Sequence, residues 1–283
     1  MKIIINGDDF GITCGVNQGV IRAFEDGLLR SASLIPNGEA FDEAAEYART
    51  RPGLDIGVHF CLCDEPALTS VSAIYRGAFS GPVLPSRAAL AAGLYSGLVS
   101  RKALALELLA QLERVRDAGL SITHADSHQY VHLLPGIFSM SLSLCERFKV
   151  PFLRSRPADP ASFDAGAGRL LQYGMVKAVS GFSRSVHSSR GVRVDIPSIG
   201  FTYSGGGLTV ERLEKILSRF SEKDVVELVL HPGSDHGQCR EKYGHWAYDW
   251  KNDRDLACSP LLAAMLLRLK AQAASFGGIP AGR

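Results

Sequence analysis

Excess charge of one sign is missing from this chain. Its 31 Lys and Arg against 29 Asp and Glu leave a formal net charge of +2 over 283 residues. No Lys or Arg run stands out, so the sequence offers nucleic acid no basic footprint. Cysteine is sparse: Cys14, Cys61, Cys63, Cys145, Cys239 and Cys258 lack framework spacing, and Cys61-x-Cys63 is too short and solitary for a zinc knuckle. Free thiols in a reducing cytoplasm are expected. No apolar run is long enough to span a bilayer, and the first residues lack the basic and long apolar regions of a signal peptide. A G-x-S-x-G elbow and a Walker-type loop are both missing, which removes serine-hydrolase and P-loop chemistry. Gly205-Gly206-Gly207, without a following Lys-Ser/Thr, reads as a flexible turn.

What is present is an ordinary globular composition, 46% hydrophobic and 21% charged. Strand patterns fall near 2–6, 31–36, 56–62, 121–126, 151–154, 192–199 and 224–230. Helical patterns fall between or after them, near 17–26, 39–50, 101–118, 135–148, 169–182, 209–220 and 259–274. This alternation predicts an α/β fold, a distorted (β/α) barrel of about seven parallel strands in a single domain over 1–283. An open doubly wound sheet is the second choice, weakened by the absence of a glycine fingerprint after the first strand. An insert at 64–99 breaks the rhythm, and inserts of that length are usually lids or binding segments. Its apolar end, 88–99, is expected to pack on the core or on a second subunit; a surface for a greasy substrate or a bilayer is the alternative.

The first strand stops at Asp8-Asp9. Two like charges at the edge of a core need a cation or a proton between them. Other strands also end in reactive residues: His59 in the third, His124, Asp126 and His128 in the fourth, Arg154 in the fifth, His231 in the seventh. A parallel barrel gathers all these ends on one face. One Asp with two His forms a facial set for a divalent ion with open positions. A neighbouring carboxylate can then take a proton from water, and a further His can return one to a leaving group. That is equipment for metal-assisted hydrolysis of an amide or ester.

Asn6-Gly7-Asp8-Asp9-Phe10-Gly11, Gly57-Val58-His59-Phe60-Cys61-Leu62, Asp126-Ser127-His128-Gln129-Tyr130-Val131-His132, Leu153-Arg154 before Pro157, and Glu227-Leu228-Val229-Leu230-His231-Pro232-Gly233 occur in that order. Jointly they resemble the motifs of the YdjC-like carbohydrate deacetylases, the ChbG/HpnK family, over about 1–260. The resemblance implies a NodB/YdjC-like barrel and a hydrolase that removes acetyl from an N-acetylated sugar or glycolipid, with metal-bound water as nucleophile. By motif position, Asp9, His59 and His128 would hold the metal, zinc or magnesium. Asp8 would be the base and His231 the proton donor. Arg154 would orient Asp8 or substrate, and Asp126 and His132 would steady the ligands from behind or touch substrate. Three positions depart from the pattern: Gly7 for Ala, Cys61 for Asn and Tyr130 for His.

Two rivals accompany this reading: a two-His-one-carboxylate iron oxygenase, and a non-catalytic sugar-binding or regulatory protein on the same fold. A homodimer is the default assembly. Peripheral contact at the inner face of a membrane is the expectation attached to a lipid-linked substrate.

Overall fold

The computed structural model describes residues 1–159, 166–187, 191–203, 207–234, 237–246 and 248–281. β1 (Lys2–Phe10) opens with Ile3, Ile4 and Ile5, none of which keeps exposed surface. Consecutive β-branched residues suit a strand covered on both faces. β1 lies at the centre of a parallel sheet of order β4-β3-β2-β1-β7-β6-β5. Its other members are β2 (Ser31–Leu34), β3 (Asp55–Phe60), β4 (Ile122–Ser127), β5 (Arg156–Pro157), β6 (Pro197–Ile199) and β7 (Val225–Leu230). The sheet curls until its edges approach. Ala125 N donates to Phe152 O and Arg154 N to Ala125 O, so the segment entering β5 runs beside β4. The result is the expected distorted barrel of seven parallel strands, with every carboxyl end on one rim.

Helices surround the sheet: α1 (Cys14–Glu25), α2 (Phe41–Arg49), α3 (Val71–Ile74), α4 (Arg87–Ser96), α5 (Arg101–Asp117), α6 (Pro135–Phe148), α7 (Ala167–Val186), α8 (Val210–Leu217), α9 (Gly237–Tyr243), α10 (Trp250–Ala257) and α11 (Pro260–Arg268). Their starts follow capping chemistry. Thr13 Oγ1 accepts from Val16 N at the head of α1, and Thr209 Oγ1 from Arg212 N at the head of α8. The stripe Leu104, Leu108, Leu112 and Val115 of α5 is fully buried, as 3.6-residue periodicity requires.

The structure departs from the sequence reading in four places. The last helix stops at Arg268 rather than near 274. Lys270 turns to φ 49°, Gln272 N bonds Met1 O, and β8 (Gln272–Ala274) pairs with β1. β2 meets β1 only from Asn6 onward, so the edge of Lys2–Ile4 is open and takes up those backbone groups. The expected fifth strand at 151–154 makes single bridges, and the ladder proper lies at Arg156–Pro157. The loop expected at 234–253 holds α9 and the start of α10. The insert contains α3 and α4 and is tied to α5 by Glu107, which accepts from Leu68 N and Thr69 N. Leu90 and Leu94 of α4 are buried, so this helix is fastened to the core. Gly205 and Gly206 of the glycine turn lie outside the described residues. Among the described residues, no helix is long and apolar enough to cross a membrane.

Candidate metal centre and cleft

In a regular strand, adjacent side chains point to opposite faces. At Asp8-Asp9 that rule is broken. The β1–β2 register shifts between Gly7 and Phe10, and Asp9 sits at φ 64°. Asp tolerates this left-handed region better than most residues, and such a bulge re-aims side chains. Asp9 Oδ1 lies 3.2 Å from His59 Nε2 and 2.8 Å from His128 Nδ1. Asp8 turns to Arg154, whose Nη1 and Nη2 donate to its two oxygens at 2.6 and 2.8 Å.

Behind these groups runs a buried network. His59 Nδ1 is 2.6 Å from Asp126 Oδ1, which leaves Nε2 turned to Asp9. Asp126 Oδ2 accepts from Ser33 Oγ at 2.7 Å and pairs with Arg154 Nη2 at 2.6 Å. Arg154 Nε donates to both oxygens of Glu227 at 3.0 and 3.1 Å. Asn6 Nδ2 donates to Asp8 Oδ1 and to Ser33 Oγ. One guanidinium therefore serves three carboxylates, and Asp9 makes a fourth buried acid. Burial disfavours charge on His59, yet Asp126 and Asp8 outweigh it and push its pKa up to about 10. Burial likewise opposes ionisation of Asp9, but His128 and His59 hold its carboxyl well below the usual range. The centre favours positive charge where Asp9 and His59 meet.

A divalent ion fits that demand. The ligand atoms of Asp9, His59 and His128 lie within 4.8 Å of one another. Asp9 Oδ2 is buried without a hydrogen-bond partner, a costly state that a cation would relieve. A second grouping, Asp8, His59 and Asp126, is equally close. Its two carboxylates are already engaged by Arg154, whereas Asp9 Oδ2 has no partner, so the first set is the better cage.

Above the centre opens a cleft of about 440 Å³. Asp8, His59, His128 and His231 reach its wall, with Tyr130, Phe201, Trp246 and Tyr248 as aromatic sides. Asp9, Asp126 and Arg154 lie beneath. His132 does not line the cleft: its Nδ1 is 2.5 Å from Ser127 Oγ and its Nε2 is 2.6 Å from Arg154 O. Burial lowers its pKa to about 4, so it is a neutral strut under Arg154. His124 is also buried, stacked on Phe276 at 4.0 Å, with its pKa lowered by burial to about 3. Gly57 makes room for it; a Cβ there would stand 2.4 Å from the imidazole. The backbone of His231 is fixed by Asp253, which accepts its N–H at 2.9 Å, and its ring packs on Tyr248 at 4.3 Å. Its loop lies against α1, where a Cβ on Gly19 would come within 2.2 Å of Gly233 Cα. Cys61 stays out of the cleft, with its Sγ turned to Cys63 O.

The motif reading quoted Glu227 without giving it a role. Its signal was visible: a lone acid inside the apolar run Val225–Leu230, whose alternation turns it to the barrel interior. Asn6, Ser33 and Trp246 carried no comparable signal.

An Asp-His-His cage at the carboxyl rim of a β/α barrel, flanked by the Asp8 carboxylate and the His231 imidazole, defines a barrel protein with a candidate metal centre. A sequence profile of the YdjC-like protein family matches residues 2–268, and the chain belongs to that family. It is 32% identical over 231 residues to a carbohydrate deacetylase of Geobacillus stearothermophilus, covering 81% of this chain and 78% of the relative. A carbohydrate deacetylase of Brevibacillus brevis is 31% identical over 233 residues, covering 82% and 81%. Among solved structures, a putative cellobiose-phosphate cleavage protein from Enterococcus faecalis superposes with a TM-score of 0.75 at 22% identity, covering 98% of this chain and 97% of that one.

Proposed function

We propose that this protein is a metal-dependent carbohydrate N-deacetylase. The observation that carries the reading is the orphaned Asp9 Oδ2 between His59 and His128, under a cleft that Asp8 and His231 also face. The family membership and the names of the relatives support it. Asp9, His59 and His128 would hold the ion. Mixed nitrogen and oxygen donors suit zinc or another transition ion better than magnesium, which prefers oxygen alone. Such an ion, when bound, acidifies water and polarises an acetyl carbonyl.

The chain's own residues do the rest. Asp8, held by Arg154 and Asn6, takes a proton as water oxygen bonds to the acetyl carbon. As the C–N bond breaks, His231 gives a proton to the departing nitrogen, leaving acetate and an amino sugar. Asp126 orients His59, and Glu227 shares Arg154 with Asp8. The intact pair of Asp8 and His231 on the cleft wall argues against a mere sugar binder, which needs neither base nor acid.

Aromatic walls suit a pyranose ring. An apolar groove of about 320 Å³ continues from the cleft between α4 and α7, sharing Arg87, Gln129 and Tyr130 with it. That continuity favours a sugar bearing an apolar group. Mass spectrometry for loss of acetyl across N-acetyl sugars, free and lipid-linked, with and without chelator, tests the reading. Turnover indifferent to chelation, or no acetate from any of them, would overturn it.

A further inference from the structure

The outer side of α7, whose first turns reach the cleft, combines exposed apolar side chains with basic residues and no acid of its own. On α7, Leu171, Met175, Phe182 and Val186 are 67%, 58%, 56% and 52% exposed. Their spacing of four, seven and four residues puts them on one side of the helix. α7 carries Arg169, Lys177 and Arg184 and no acid at all. The insert has its two acids, Asp64 and Glu65, at its start; beyond them, between residues 66 and 100, there are Arg76 and Arg87 and no Asp or Glu. It exposes Phe79, Val83, Tyr95 and Leu98. In a chain whose acids and bases nearly balance, this is a strong local asymmetry.

Two grooves flank α7. On the α4 side lies the apolar groove that runs into the cleft. On the α8 side lies a pocket of about 320 Å³ lined by Arg156, Lys177, Arg184 and Arg219, with no carboxylate among its described lining residues. Arg184 Nε is buried there without a hydrogen-bond partner.

We propose that this face docks on an anionic phospholipid surface. The apolar stripe of α7 would enter the boundary between headgroups and acyl chains, and the pocket between α7 and α8 would take a lipid phosphate. Apolar area together with an excess of Lys and Arg is the chemistry of an interfacial helix. The occupant is a bilayer rather than a second copy because a two-fold pairing of this face would set like charges against each other. Met175 of the stripe also lines the apolar groove that runs into the cleft, so docking sets that groove against the membrane. Docking itself does not depend on the reaction proposed above.

Flotation of the full chain with vesicles tests it, using phosphatidylcholine alone and phosphatidylcholine mixed with phosphatidylglycerol. The mixed vesicles should carry the protein at low salt, and the neutral ones should not. The combined variant Leu171→Ser, Phe182→Ser, Val186→Ser should lose most of the bound fraction. Lys177→Glu with Arg219→Glu should weaken binding by at least about fivefold per charge. Both variants should keep the melting temperature and the turnover of a soluble N-acetyl sugar. If that turnover is absent from the native chain as well, the reaction reading fails while flotation still decides docking. Equal flotation of native chain and variants, or none with either vesicle, would overturn the proposal. So would a dimer in sedimentation velocity that the serine variant abolishes.

Discussion

Asp8 and Asp9 are the same residue type at adjacent positions, yet they face different partners. Asp9 is drawn to two imidazoles and Asp8 to a guanidinium. The division of labour predicts that Asp8→Asn keeps its metal content, measured by mass spectrometry, while turnover falls roughly a hundredfold to ten-thousandfold, the range for losing a general base. A fully active variant would refute the assignment of the base. The buried histidines set a second expectation. His132 and His124 have folded pKa values of about 4 and about 3, below the usual 6.5, chiefly through burial. Between those values and 6.5 the unfolded chain binds more protons, so their contribution is whole above pH ~6.5 and shrinks as pH falls. For His132 alone the loss amounts to about 3 kcal/mol once pH is below 4. The urea midpoint should drop between pH 7 and 5, and His132→Gln should flatten that drop. His59 and His128 were readable because polar residues closing apolar strands are conspicuous. Glu227 was less so, since its partner Arg154 lies 73 residues away in the chain.

Elements place these residues by contacts that no local pattern contains. The bulge in β1 arises where β2 runs alongside, and it turns neighbouring carboxylates to separate tasks on one rim. β8 replaces the end of a helix because the open edge of β1 supplies hydrogen-bond partners. α1 and the His231-Pro232-Gly233 loop meet through bare backbone. Gly19→Ala should therefore push that loop and cost about 1–3 kcal/mol of stability, as overpacking does. Turnover should fall with it while metal content holds, because His231 moves and the cage does not. A variant matching the native chain in both thermal melting and turnover would show the contact to be slack.

Across the whole molecule, three distant stretches of chain close on one charge-deficient point. Binding of a cation there should stabilise the fold by mass action, by about 2.7 kcal/mol at a hundredfold excess over Kd. Chelation should lower the melting temperature, and zinc should restore it. His128→Ala should melt at one temperature with or without chelator. A native chain blind to chelation would mean that the cage holds no ion.

The sequence by itself determined the alternation of strands and helices and the rim on which polar strand ends collect. Those follow from periodicity and from the cost of placing polar residues in apolar runs, which are local properties; singling out Asp9, His59 and His128 among those ends rested on the resemblance of the motifs to a family. The tertiary structure alone decided that Arg154 joins Asp8, Asp126 and Glu227, that His132 is a strut beneath it, and that α7 leaves an apolar, acid-free face beside the cleft. Each of these depends on which segments meet in space, and burial and opposing charge act only after they have met.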